Sequence, residues 1–391
     1  MLIALHLLQN HAPSNLNRDD NNEPKDAIFG GVRRARISSQ AIKRSIRRSE
    51  HFRKPFEEQN LDHLLAVRTQ LLPEQVRKHL EDVELTDEQK RAIVEVAARL
   101  GKAERKSDEQ SEPNQPRGGK KSRRGKQQNN DAEIAEKVKT AQLMFLTSDE
   151  VERLARRLIE IVGKQGADAL SQLKVDHLGK YEPHSVDIAM FGRMTTSSPF
   201  KDVEAAVQVA HAISTHAVEM EFDFYTAVDD ISGEAGAGFI GNTTFNSATY
   251  YKYFSIDWDG LLKNLHNDRA IAVTAVEALI KAAMFAIPSG KQNSFAAHNL
   301  PDLALIEVRK EKVPISYANA FVKPVRATPD SSLIEASAQA LQRYIPTIND
   351  LYGLQAERAF LSSVPFELAK STPRENLDEL LGWLKDQGVR A

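Results

Sequence analysis

The chain has 391 residues, 41% of them hydrophobic, with 52 lysines and arginines against 54 aspartates and glutamates. That length supports two or three structural units of an ordinary globular protein, while the absence of cysteine excludes disulfide frameworks and thiolate metal sites and fits a reducing, cytoplasmic compartment. With a net charge of −2, affinity for a polyanion has to come from local clusters of cations, not from the total.

The opening run MLIALHLLQ has no basic lead-in and is interrupted by His6. It is too short and too polar for a signal peptide or membrane span, and suits a buried strand. Pro, Asn, Ser and Asp then crowd residues 11–26, which predicts a loop. In AIFGGVRRARI, Val32, Ala35 and Ile37 interleave with arginines and predict a second extended element. SSQAIKRSIRRS follows as a helix with Ser38 or Ser39 at its N-cap.

From about Leu61 to Gly179 the pattern is helical. Thr86 and Gln89 form a capping box ahead of Ile93, Val94, Ala97 and Leu100, and a further helix after Ser148 carries Val151, Leu154, Leu158 and Ile161 on one stripe. Within this insertion, residues 101–131 contain no aromatic and no aliphatic side chain larger than alanine, so a disordered basic loop is expected there.

Beyond Lys180, the segments VDIAMFG, AVQVAHAIS, EFDFYTAV and TTFNSATYYKYFSI read as strands, two of them joined by the glycine-rich SGEAGAG. An alanine- and valine-rich helix near 271–287 ends at Pro288, and PDLALIEVRK gives another strand. Helices return near 331–351 and 377–387. The sum is an α+β protein in which strand–helix–strand elements are split by a helical insertion.

Its chemistry concentrates in the first fifty-odd residues. Between positions 25 and 54 stand Lys25, Arg33, Arg34, Arg36, Lys43, Arg44, Arg47, Arg48, Arg53 and Lys54, opposed by Asp26 and Glu50. On a helix, Gln40, Lys43 and Arg47 share one side and Ile42 and Ile46 form an adjacent apolar stripe. The unpaired N–H groups and hydroxyls at the helix start are suited to phosphate oxygens.

The runs SNLNRDD and KDAIFGGVRRARISSQAIKRS closely resemble the start of the CasC-type backbone subunit of type I-E CRISPR Cascade. FGRMTTS, HAISTHAVEMEFDFYTAVDD, PSGKQNSFAAHN and ISYANAF follow in that family's order. The resemblance implies a right-hand fold: an RRM-like (ferredoxin-like) palm from residues 1–57 and 183–391, helical fingers from 58–182, and a β-rich thumb at 218–249. It also implies a non-catalytic subunit that polymerises with further copies of itself along a guide RNA (crRNA), alongside other Cascade subunits. Target DNA is met through base pairing with the guide.

Carried over by motif, Arg18, Ser38, Gln40, Lys43 and Arg47 resemble the guide-phosphate contacts. Met194, Phe224, Tyr225, Thr226 and Ile240 resemble residues that wedge beside a displaced base. Lys25 and Lys323 resemble cations presented towards DNA. No cofactor, metal or membrane is expected.

The enzymatic alternative is a metal-dependent RNA endonuclease using Asp19 and Asp20, adjacent carboxylates before the basic helix. Hydrogen bonding within the loop accounts for them more simply. His211, His216, Asp229 and Asp230 lack a metal-ligand spacing, and SGKQNS is not a phosphate loop, because Phe285 stands where the upstream glycine is required.

Overall fold

The computed structural model describes residues 1–100, 138–171, 173, 175–195, 199–228, 230–231 and 235–390, and the side chains of all of these except 176, 227, 228 and 235–240. The 101–131 loop and Asp229 lie outside the described residues. The chain divides into two compact units, residues 1–65, 184–192 and 203–391 in one and 66–183 and 193–202 in the other.

The first unit is built on a mixed ten-stranded sheet. Its order runs Thr372–Pro373, Glu357–Ser362, Leu303–Arg309, Leu2–Ser14, Ala235–Asp257, Ala212–Ser214, Val32–Ile37, Asp26–Phe29, with Val207–Val209 and Glu221–Val228 also paired to Ala235–Asp257. Among the strand pairings of this sheet in the described residues, Glu357–Ser362 with Thr372–Pro373, at the edge, is parallel. Leu2–Ser14 sits centrally, with Ile3 opposite Val308 on one side and Ile256 on the other.

Alternate residues of this strand serve two cores. Ile3, Leu5 and Leu7 pack with Ile42, Ile46, Phe52 and the helix Arg269–Phe285, whereas Ala4 and Leu8 pack with Tyr317, Phe321 and Leu341. A strand covered on both faces needs no polar alternation, which explains the continuous apolar run LIALHLL. The strand continues past the expected loop start, pairing His11 with Ala248 and Ser14 with Asn246 across an irregularity.

Two expectations are corrected. Val186–Phe191 is a helix, not a strand: the Ser185 side chain accepts from the Ile188 N–H, and Gly192 at φ 77° ends it. All of Val186–Met190 is buried, so side-chain polarity carries no period from which to tell helix from strand. The SGEAGAG connector is also shorter than its composition suggests, because the strand Ala235–Asp257 takes up its last four residues.

The second unit packs the helices Leu72–Lys78, Asp87–Arg99 and Ser148–Gln165 through Leu72, Ile93, Leu154 and Leu158. Capping boxes at Thr86 with Gln89 and Thr147 with Glu150 start the two longer ones. A two-stranded pair, Val67–Thr69 with Met144–Leu146, was not foreseen in a helical stretch. Residues 193–202 join this unit through Arg193, whose buried guanidinium meets Glu150 at 2.8 Å and donates to the Phe145 and Lys201 carbonyls. No helix among the described residues is long and apolar enough to cross a membrane.

Candidate nucleic-acid interface

The basic helix Ser39–Arg48 begins where the Ser38 hydroxyl accepts from the Ala41 N–H, and Ile42 and Ile46 seat it in the core. Ser38 rather than Ser39 is the N-cap. Its cations then divide between two flanks. Arg47 pairs at 2.9 Å with the buried Asp187, and the Lys43 ammonium lies 5.9 Å from the Phe191 ring. Gln40, Arg44 and Arg48 are exposed.

Arg44 and Arg48 border a groove of about 470 Å³ between the basic helix, Leu16 and residues 286–290. Among the described residues neither guanidinium makes an ion pair, in contrast to Arg53 and Lys54, which pair with Glu57 and Glu58 on the next helix.

The preceding loop is closed on itself and tied to the helix start. Asn17 Oδ1 accepts from the Ser38 N–H at 2.8 Å, and the Asn17 carbonyl accepts from the Lys25 N–H. Arg18 bridges to Pro24 and reaches Asn22. Asp19 Oδ1 accepts from the N–H groups of Asn21 and Glu23, both at 2.9 Å, so this carboxylate organises the turn. Arg18, Lys25, Ser38, Gln40, Lys43 and Arg47 thus gather around one helix and its entry.

His211 completes the helix start. Its Nδ1 accepts from the Ser39 N–H at 3.4 Å and lies 3.3 Å from Arg36 Nη1. Burial, then the charges of Arg36 and Lys25, hold its pKa below the ordinary histidine value, which matches a neutral ring accepting at Nδ1. His216 is likewise held low, mainly by burial, with Nδ1 donating to the Ala217 carbonyl and Nε2 accepting from the Thr249 N–H.

The wedge candidates lie elsewhere. Phe224, Tyr225 and Thr226 belong to Glu221–Val228, where Phe222 and Phe224 are 67% and 66% exposed. Tyr225 lies across from Gly241, so close that a Cβ there would sit 2.3 Å from its Cζ. Ile240 is opposite Thr226 in the register, and its side chain lies outside the described residues. Met194 is 94% exposed and belongs to the second unit.

Lys323 is exposed, directly after a segment clamped by the fully buried Arg34. That guanidinium donates to the carbonyls of Phe29, Ser214, Phe321 and Val322.

Sequence reasoning missed Asn17, Asp187, His211 as a partner of the helix start, and the separation of Arg44 and Arg48 from Lys43 and Arg47. A signal existed for Asp187: Ser185 and Gly192 bracket six residues as N-cap and stop.

A family profile described as CT1975-like protein matches residues 3–386. A solved chain titled as part of a pre-nicking CRISPR RNA-guided surveillance complex is 28% identical with a TM-score of 0.77, covering 99% of this chain and 100% of its own. Another, titled CRISPR RNA-guided surveillance complex, is 23% identical with a TM-score of 0.68 over 99% and 100% of the two chains, and supports the fold alone. No curated protein matches this chain.

Proposed function

The chain belongs to the CT1975-like protein family and is a Cascade backbone subunit of the CasC type; from that premise we propose that it grips a guide RNA by its phosphates and performs no catalysis of its own. In this reading the complex is of type I-E and cytoplasmic. Residues 1–57 and 183–391 act as an RRM-like palm, 58–182 as fingers, and 218–249, which contains the Glu221–Val228 strand, as a thumb. Copies follow one another head to tail along the RNA, a heterologous arrangement that makes a helical filament. The protein holds shape and charge while base pairing with target DNA reads sequence.

The carrying observation is the cationic helix and its entry loop: a chain of net charge −2 gathers Arg18 and Lys25 in the loop tied to the helix start and Lys43, Arg44, Arg47 and Arg48 along the helix itself. Gln40, exposed in the first turn, adds a polar group for phosphate oxygens, whereas Ser38, expected beside it, is buried with its N–H donating to Asn17 and its hydroxyl accepting from the Ala41 N–H, and so sets the helix start. Phe224, Tyr225, Thr226, Ile240 and Met194 take the wedge role, and Lys25 and Lys323 face DNA. Asp19's engagement in its own turn favours a structural loop over a metal-dependent nuclease.

The test is binding of single-stranded RNA of arbitrary sequence by the purified full chain, followed by fluorescence anisotropy at rising salt. Tight binding at low salt that weakens steadily and is indifferent to sequence is expected. No binding at low salt overturns the proposal. RNA cleavage with magnesium that disappears in Asp20→Ala overturns its non-catalytic part.

A further inference from the structure

We infer that the groove bordered by Arg44 and Arg48 is a preformed pocket for one nucleotide of single-stranded RNA, separate from the flank that carries Lys43 and Arg47. This inference rests on the RNA-binding reading above and assigns a second point of contact to the same helix. Arg44 and Arg48 are one helical turn apart and face the same space. Unlike Arg47, they spend no charge on a carboxylate among the described residues.

Two planar guanidinium forks side by side match the oxygens of a phosphodiester. The opposite wall is different in kind: Leu16, Ile287 and Pro288 are apolar and suit a ribose or the face of a base. A volume of about 470 Å³ lies within the range of small-ligand pockets. Polar and apolar surfaces are therefore divided in the way a nucleotide divides them.

Gly290 seats the 286–290 wall directly on the Leu16 backbone. A Cβ at that position would lie 2.4 Å from the Leu16 carbonyl oxygen and 2.6 Å from that of Asn15, so the 286–290 wall abuts backbone that cannot yield as a flexible side chain would. The pocket thus exists before RNA arrives, which lowers the ordering cost of binding.

The test uses the full chain and a fluorescent oligouridylate, titrated at several salt concentrations. Arg44→Gln with Arg48→Gln is expected to lower the slope of log affinity against log salt by about 0.7, the value for the one single-strand phosphate the pocket holds. Ser289→Trp, from an exposed position on the groove wall, fills the space without changing charge. It is expected to cost about tenfold in affinity at an unchanged slope, the scale of one lost base or sugar contact.

Arg53→Gln with Lys54→Gln, which removes two nearby cations already paired with carboxylates, is the control and should leave the slope nearly unchanged. Far-UV circular dichroism and urea unfolding verify that each variant is folded. If the wild-type chain binds RNA but the Arg44 and Arg48 variant loses no more slope than the control, or Ser289→Trp binds as wild type does, the groove inference fails alone. A wild-type chain that binds no RNA brings down the parent reading and this inference together.

Discussion

Arg47 meets Asp187 in a 2.9 Å ion pair whose side chains are 14% and 4% exposed, joining the basic helix to a short helix 140 positions away in the chain. The Ser185 hydroxyl donates to the same carboxylate. A cation read from the sequence as a phosphate ligand therefore also holds the fold together.

Arg47→Ala and Lys43→Ala should consequently part company. Truncating Arg47 removes the ion-pair partner of a buried carboxylate that keeps its bond from Ser185, and is expected to cost about 3 kcal/mol in urea unfolding. Lys43→Ala should stay within about 0.5 kcal/mol of wild type while lowering the RNA salt slope by about 0.7. Equal stability losses in the two variants would contradict this division of labour.

Arg34 offers a second test, because its four acceptors are all backbone carbonyls from three segments. Arg34→Lys keeps the charge but cannot reach the same carbonyls with a single ammonium. It should destabilise the chain by roughly 2–3 kcal/mol. Gly30→Ala should act at the same place, because Gly30 has φ 61° and a Cβ there would lie 1.9 Å from the Val322 carbonyl oxygen. Thermal unfolding measures both, and a wild-type Tm in either variant would count against the clamp.

Stability should also depend on pH through two buried groups of the central strands. Burial lowers the Lys252 pKa from 10.5 to about 8, and its ammonium donates to Gln9 Oε1. Between those values the unfolded chain holds a proton that the folded chain has lost, so stability rises with pH across that window. Lys252→Met should be the more stable form near pH 7, and its advantage should shrink by on the order of 3 kcal/mol as pH rises to 10.5. Burial, then the charge of Lys252, brings His11 down to about 3. Stability should therefore fall as pH drops from about 6.5 towards 3, and His11→Gln should flatten that limb; unfolding midpoints of the three proteins across pH decide it.

Phe222 and Phe224 project from their hairpin with about two thirds of their surface in solvent. Removing Phe224 should barely change stability, within about 0.5 kcal/mol. If it stacks beside a base, Phe224→Ala should weaken RNA binding by about 1–3 kcal/mol. A loss of stability with unchanged RNA affinity would assign the ring to the fold instead.

Much of this architecture can be read in the sequence where a physical period exists. LIALHLL announces a doubly covered strand, Thr86 with Gln89 announces a helix start, and Leu303–Arg309 reads as a strand because flanking residues punctuate it. The period fails at VDIAMF, where burial on every side removes the polar contrast that separates helix from strand. Charge, likewise, is visible in sequence but its pairing is not: Lys43, Arg44, Arg47 and Arg48 are alike as letters, and only the distant Asp187 and Leu16 tell their flanks apart. Arg34 looks like one more surface cation of VRRARI, since its carbonyl partners come from backbone and leave no trace in side-chain identity.

The central position of Leu2–Ser14 has a consequence for synthesis. Its two neighbours in the sheet, Ala235–Asp257 and Leu303–Arg309, leave the ribosome more than two hundred residues later. At about 5–20 residues per second, the nascent strand waits roughly 10–60 s for a partner. Throughout that interval LIALHLL is an uncovered, uncharged segment of high aggregation tendency. Biogenesis of this chain should therefore depend on a cotranslational chaperone holding its first dozen residues.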